Sequence, residues 1–218
     1  MSRTSIALAG FASVIAALGA GQLASQIGSG IALAQVAPSA TDGAAQTPAG
    51  TYRLDADHTQ VLWSVDHFGF SRLYGMVGSM SGTLELDPAR VAQSRLQVDI
   101  PLSGLTVTSD GFAEHLTTPD LFDVARFPVA RFVSRRVEVR GEEATITGDL
   151  TLRGRTRPVV LEARLYGAGS NPMNRAQTVG FSARGQLKRS EFGLGYAAPA
   201  VSDLVELEIT AAFEKADG

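Results

Sequence analysis

Three histidines are the side chains in this sequence best suited to bind a metal ion or transfer a proton, because cysteine is absent from all 218 residues. His58 and His67 lie nine residues apart with three aspartates close to them, whereas His115 is distant. This spacing matches no zinc signature. The sequence therefore favours no metal site and leaves two roles open: hydrogen bonds to buried backbone groups, or a hydrogen bond from His67 to a ligand.

Residues 78–82, Gly-Ser-Met-Ser-Gly, bear a superficial likeness to a nucleophile elbow, the sharp turn that exposes a catalytic serine. The central residue is Met80 rather than serine, and the surrounding alternation predicts a strand instead of a strand-to-helix turn. No pattern typical of paired catalytic carboxylates or of a phosphate-binding loop stands out. We therefore expect no catalytic residues and no enzyme activity, and an enzyme that acts on a small apolar substrate is the alternative.

The charge pattern argues against nucleic acid as a partner. The net charge is -3 at pH 7, and the 19 lysines and arginines are interspersed with 22 acidic residues. Nucleic-acid-binding proteins instead concentrate positive charge where phosphates are neutralised. The length and the 44% hydrophobic content predict one globular domain with a sizeable core.

The first 50 residues differ in composition from the rest of the chain. Arg3 precedes an apolar run over residues 6–18, and Ala32-Leu33-Ala34 fits a cleavage site, so residues 1–34 are interpreted as a signal peptide for export to the periplasm. A retained membrane anchor is the alternative, although the apolar run is shorter than the roughly 20 residues that span a bilayer. Residues 35–50 are mostly Ala, Pro, Ser, Thr, Gly and Gln and are interpreted as a flexible linker.

From Thr51 onward, polar and apolar residues alternate in eight runs, which predicts strands with one buried face. The second run contains Gly78 and Gly82, where a strand can bend, and the fourth changes parity near residues 135–136, which predicts a bulge. An all-β, eight-stranded antiparallel barrel explains the long strands and their bends better than a β-sandwich. One short helix is expected within residues 109–117.

Apolar side chains at the inward positions of these strands and on the helix could line a cavity for a long apolar ligand or fill a solid core. Periodicity does not separate these two interpretations. Small inward residues such as Gly148 and Ala183 favour the cavity because they leave space, and methionine adapts to ligands of varied shape. The predicted ligand-binding residues are Trp63, Val65, His67, Phe70, Met76, Met80, Phe112, Leu116, Phe122, Phe132, Ile146, Leu150, Phe181 and Phe213.

Five segments resemble the YceI-like family of bacterial periplasmic proteins. Residues 52–59, Tyr-Arg-Leu-Asp-Ala-Asp-His-Thr, and 67–71, His-Phe-Gly-Phe-Ser, are similar to the opening of that domain. Residues 122–128, Phe-Asp-Val-Ala-Arg-Phe-Pro, resemble the segment after the lid helix of the family. Residues 148–154, Gly-Asp-Leu-Thr-Leu-Arg-Gly, and 188–193, Lys-Arg-Ser-Glu-Phe-Gly, resemble its central strand and late turn.

The resemblance assigns residues 51–216 to one YceI-like domain and implies a lipocalin-like barrel with the short helix as a lid. It also implies export to the periplasm and an interior that holds a long-chain isoprenoid or similar amphiphilic lipid, such as a quinone or a polyprenyl phosphate. No cofactor is expected apart from this ligand. An inner-membrane redox or lipid-handling protein is the expected partner, and the oligomeric state is left open, a dimer included. Trp63 replaces the usual phenylalanine of the family, which would reshape the pocket wall.

Export with removal of a signal peptide predicts a mature protein that begins near Gln35. N-terminal sequencing of protein recovered from a periplasmic extract should start there. Full-length protein that keeps Met1 and remains in the membrane fraction would contradict this prediction.

Overall fold

Backbone hydrogen bonds between antiparallel strands organise residues 47–216, the part of the chain that the computed structural model describes. The predicted signal peptide and most of the predicted linker lie outside this part. One α-helix, α1, covers Asp110–Thr117, and short 3₁₀ helices cover Val91–Gln93, Leu102–Gly104 and Arg189–Phe192. The strands are β1 Gly50–Leu54, β2 Gln60–His67, β3 Ser71–Val77, β4 Ser81–Leu86, β5 Arg95–Pro101, β6 Leu105–Thr106, β7 Val129–Arg140, β8 Glu143–Leu152, β9 Arg155–Ser170, β10 Gln177–Lys188 and β11 Leu204–Lys215.

The strand order closes into a ring of eight: β1, β4, β5, β7, β8, β9, β10 and β11, with β11 returning to β1. The strands β2, β3 and β6 extend this ring, because β11 pairs with β1 near its end and with β2 nearer its start. Thus β1 and β2 are two parts of one bent strand, as are β3 and β4. The predicted eight-stranded antiparallel barrel is confirmed.

Burial follows the alternation of the sequence along most of the wall. On β9, for example, Val159, Leu161 and Ala163 are buried while the residues between them are exposed. The predicted bulge is confirmed on β7, where the register with β8 shifts between Ser134 and Arg136. Such a bulge inserts one residue, so the inward face changes from even to odd positions.

The bend between β3 and β4 overturns the predicted inward position of Met76. Residues 78–80 separate the two strands, and Ser79 has a φ of 56°. Val77 and Met80 are both buried across this three-residue bend, so the inward parity changes there. Met76 therefore faces outward, with 43% of its surface exposed.

Gly148 allows a close approach within the wall rather than space in the interior, so its predicted role is also wrong. A Cβ atom there would overlap the ring of Phe132 and lie 2.7 Å from the carbonyl oxygen of Val133. Only glycine lets the Phe132 ring pack against the β8 backbone at this point.

The end of the barrel that carries α1 is built around the buried guanidinium of Arg189. It donates hydrogen bonds to the carbonyl oxygens of Ser202 at 2.8 Å, Tyr196 at 2.9 Å and Val201 at 2.7 Å, and to that of Leu194. Loss of hydration lowers the pKa of Arg189, although a guanidinium stays protonated at neutral pH. One side chain thus holds the loop of residues 194–203 against the barrel.

Replacing Arg189 with methionine should lower the free energy of unfolding by about 3 kcal/mol or more, because four carbonyl groups lose a buried donor. Denaturant unfolding measures this change. Arg157→Met is the matched control, since Arg157 is exposed and, among the described residues, donates only to the neighbouring Thr156 carbonyl. Equal stabilities for the two variants would contradict the role given to Arg189.

Candidate ligand-binding cavity

A cavity of about 1300 Å³ occupies the interior of the barrel. This volume exceeds the roughly 300–1,000 Å³ of ordinary small-molecule pockets. Its lining includes Glu143 at the start of β8 and Leu152 at its end, so the cavity follows the strand for roughly 30 Å. The shape suits an extended apolar chain.

Twelve of the fourteen predicted ligand-binding residues line this cavity, and their part in binding remains a prediction. They are Trp63, Val65, His67, Met80, Phe112, Leu116, Phe122, Phe132, Ile146, Leu150, Phe181 and Phe213. The predicted positions of Phe70 and Met76 are wrong. Phe70 lies in the turn between β2 and β3 with 91% of its surface exposed, and Met76 points out of the wall.

The indole of Trp63, on β2, packs against Gly75 on the neighbouring strand β3. A Cβ atom at Gly75 would overlap this indole, so glycine is required opposite the tryptophan. The Nε1 atom of Trp63 is buried without a hydrogen-bond partner among the described residues. Trp63 is the only tryptophan of the chain and lines the cavity, so its fluorescence reports on the interior.

The helix α1 covers one end of the cavity, as its predicted role as a lid requires. The side chain of Ser109 accepts a hydrogen bond from the backbone of Phe112 at 3.4 Å and caps the helix. Leu116 is buried, and the rings of His115 and Tyr196 meet edge to face with centroids 5.0 Å apart. We call this the helix end of the barrel.

The barrel wall has a gap at the helix end. Among the described strands, β6 pairs only with Met76 and Val77 of β3, so residues 71–75 have a strand neighbour on one side only. Phe68 and Tyr196 line the cavity and are also half exposed near this gap. The interior therefore reaches the surface here.

Charged residues surround the other end, which we call the charged end. Glu142, Glu143, Arg95 and Arg164 line the cavity there and are exposed. Arg164 donates to Glu143 at 2.7 Å across β8 and β9. The cavity thus opens between aromatic side chains at one end and charged side chains at the other.

Sequence reasoning missed the loop of residues 194–203. Leu194, Tyr196, Ala197 and Val201 from this loop line the cavity. The segment has no strand or helix periodicity, and tertiary contacts bring it to the cavity: the hydrogen bonds of Arg189 and those to Asp66, His67 and Phe68.

The three histidines make different contacts. Nδ1 of His58 is 2.6 Å from a carboxylate oxygen of Asp55, and this hydrogen bond, with the negative charge, raises the pKa of His58. His67 forms a backbone bridge to Val201 and lies against the ring of Phe68. Within residues 47–216, no three His, Asp or Glu side chains converge to hold a metal ion. The same residues contain no helix that is both long and apolar enough to cross a membrane.

Comparison with known proteins agrees with this architecture, since residues 52–213 match the YceI-like domain. The chain belongs to the YceI-like family. One family member, protein YceI of Escherichia coli O6:H1, is 34% identical over 166 residues, which cover 73% of this chain and 86% of that protein.

Two solved structures share the fold of this YceI-like protein. Burkholderia cenocepacia BcnA gives a TM-score of 0.66 at 22% identity and covers 73% of this chain and 98% of BcnA. A polyisoprenoid binding domain from Saccharophagus degradans, implicated in plant cell wall breakdown, gives 0.59 at 14% identity and covers 78% of this chain and 100% of that domain.

Ala183 lines the cavity whereas Gly148 packs within the wall, so phenylalanine at these two positions should have different effects. Ala183→Phe should change the free energy of unfolding by less than about 1 kcal/mol while it obstructs the cavity, because the ring enters empty space. Gly148→Phe should cost about 1 to 3 kcal/mol or more by overpacking. Denaturant unfolding compares the two variants. Similar losses would mean that the interior at Ala183 is already filled.

Proposed function

We propose that this YceI-like protein binds a long-chain isoprenoid, or a similar amphiphilic lipid, in the barrel interior and carries it without chemical change. The observation that supports this most directly is the cavity of about 1300 Å³, whose walls are mainly aliphatic and aromatic side chains. The polyisoprenoid binding domain of Saccharophagus degradans, which shares the fold, supports the same ligand class.

The hydrophobic effect would drive this binding. Transfer of each CH₂ group from water to an apolar site contributes about 0.8 kcal/mol, so a tail of about twenty carbons would gain on the order of 10 kcal/mol before entropic costs. Such a site selects for apolar length more than for the exact pattern of the tail. Met80, with a flexible thioether side chain, adapts the wall to branched chains.

The polar head of the ligand would lie at the helix end. His67 and His115 line the cavity there, and an imidazole can donate a hydrogen bond to a quinone carbonyl, a hydroxyl or a phosphate oxygen. Thr108 and Ser109 add hydroxyl groups in the same region. These groups suit a neutral or singly anionic head.

We further propose that the protein works in the periplasm, where a water-filled space separates two membranes and an apolar lipid needs a soluble carrier. The signal-peptide pattern of residues 1–34 supports this location. An inner-membrane redox or lipid-handling protein would then supply or receive the ligand.

Titration with decylubiquinone should quench the fluorescence of Trp63, because the quinone enters the cavity that this side chain lines. Saturating ligand should also stabilise the fold by about 2.7 kcal/mol at a free concentration of one hundred times Kd. Ala183→Phe is the matched variant and should abolish both effects while remaining folded.

Mass spectrometry of an organic extract from the purified protein tests whether the bound lipid stays chemically unchanged. The extract should contain the intact lipid after prolonged incubation. The proposed carrier function would be contradicted if a tailless quinone quenched the fluorescence as strongly as decylubiquinone does. A chemically altered ligand in the extract would also contradict it.

A further inference from the structure

Four exposed aromatic side chains lie on elements of the helix end, namely the β2–β3 turn, β3 and the loop of residues 194–203, and we call them the aromatic rim. The exposed fractions are 49% for Phe68, 91% for Phe70, 56% for Tyr74 and 52% for Tyr196. Phe68, Tyr74 and Tyr196 also line the cavity. The rim is therefore continuous with the interior, and exposed apolar groups of this kind mark an interaction site.

The turn between β2 and β3, which carries the rings of Phe68 and Phe70, has a strained backbone conformation. Phe68 has a φ of 60° and Gly69 one of 73°, as in a type I′ turn, where asparagine followed by glycine is preferred. A bulky aromatic residue rarely adopts this conformation. A strained residue at an exposed position points to a function that outweighs the strain.

Three hydrogen bonds fix this turn to the barrel. The backbone N–H of Phe68 donates to the Ala200 carbonyl at 3.0 Å, and that of Gly69 donates to the Asp66 carboxylate at 2.7 Å. The N–H of Phe70 donates to the His67 carbonyl at 3.1 Å. The rings at the tip of the turn are thus presented to solvent by an ordered backbone.

We propose that the aromatic rim docks the barrel onto the surface of a lipid bilayer, so that the ligand passes between the membrane and the cavity without crossing water. This inference rests on the proposed function, because only a membrane-resident ligand needs such a contact. Aromatic rings favour the boundary between headgroups and acyl chains. The rim residues lie on the β2–β3 turn, on β3 and on the loop of residues 194–203, beside the gap in the wall, an arrangement suited to shallow insertion into lipid.

The charges near the rim indicate which bilayer it fits. The guanidinium of Arg72 is paired with Glu206, and its Nη2 lies 3.4 Å from one of that carboxylate's oxygens. Asp66 is exposed, and Asp110 and Glu114 on α1 add negative charge. Arg72, the basic residue on β3 between Phe70 and Tyr74, is thus already paired, so docking should depend on the rings more than on attraction to anionic headgroups.

Co-sedimentation with phosphatidylcholine vesicles tests the docking of the mature protein. Phe70→Ser should lower the vesicle partition coefficient by roughly tenfold, the effect of withdrawing one ring from lipid. Met173→Ser is the matched control, because Met173 is equally exposed, at 91%, but lies in the turn between β9 and β10 at the charged end. The partition coefficient of Met173→Ser should equal that of the unaltered protein. Raising the salt concentration should change neither of these two partition coefficients.

A second variant separates docking from folding. Phe68→Asn places the preferred residue in the turn, so the melting temperature should stay constant or rise while vesicle binding falls. A structural role for Phe68 would instead lower the melting temperature. That result, together with unchanged vesicle binding, would overturn the proposal.

Titration with farnesol, followed by Trp63 fluorescence, distinguishes failure of docking from failure of the cavity function. Phe70 does not line the cavity, so Phe70→Ser should bind farnesol like the unaltered protein. Farnesol binding without vesicle association would overturn the docking proposal and leave the carrier function intact. If the unaltered protein associates with vesicles but does not bind farnesol, and Phe70→Ser abolishes the association, docking is supported and the carrier function is rejected. Conversion of a dimer to a monomer by Phe70→Ser would make the rim a protein interface and overturn docking.

Discussion

Hydrogen bonds between neighbouring strands close the barrel, and the cavity depends on this closure. Because β11 pairs with both β10 and β1, the backbone polar groups of the ring find partners within the wall. A sheet with free edges would need another layer packed on its apolar face. Here the curved wall supports itself, and apolar side chains pack in two groups around Phe132 and around Tyr52.

The two ends of the barrel differ because different kinds of segment connect the strands there. At the helix end, loops and α1 cover the opening, and side chains such as Arg189 and Ser109 satisfy backbone groups that no strand reaches. Irregular segments of this kind commonly carry function on a rigid scaffold. The cavity lining, the strained turn at Phe68 and the exposed rings all meet there.

Much of this structure could be predicted from the sequence wherever one physical signal dominates. Alternation identified the inward faces of β5, β8, β10 and β11, and that of β9 as far as Leu165, because one face of the strand stays buried there. Beyond Leu165 the register of β9 shifts, and Ala168 becomes the buried residue. Alternation failed for Met76, where a three-residue bend changes parity, and for Phe70, which belongs to a turn. Gly148 was misassigned because the approach of the Phe132 ring is a contact between strands. The loop of residues 194–203 has no periodic pattern, and its place depends on the hydrogen bonds of Arg189.

The openings at both ends of the cavity bear on how the protein would discriminate among tails of different length. A pocket with a closed floor acts as a molecular ruler, because a chain that is too long collides with the bottom. Within residues 47–216 the apolar walls end between Arg95 and the Arg164–Glu143 pair, which are exposed and do not close this end of the cavity. A tail longer than the barrel could thread past these residues, so the described walls impose no upper limit on its length.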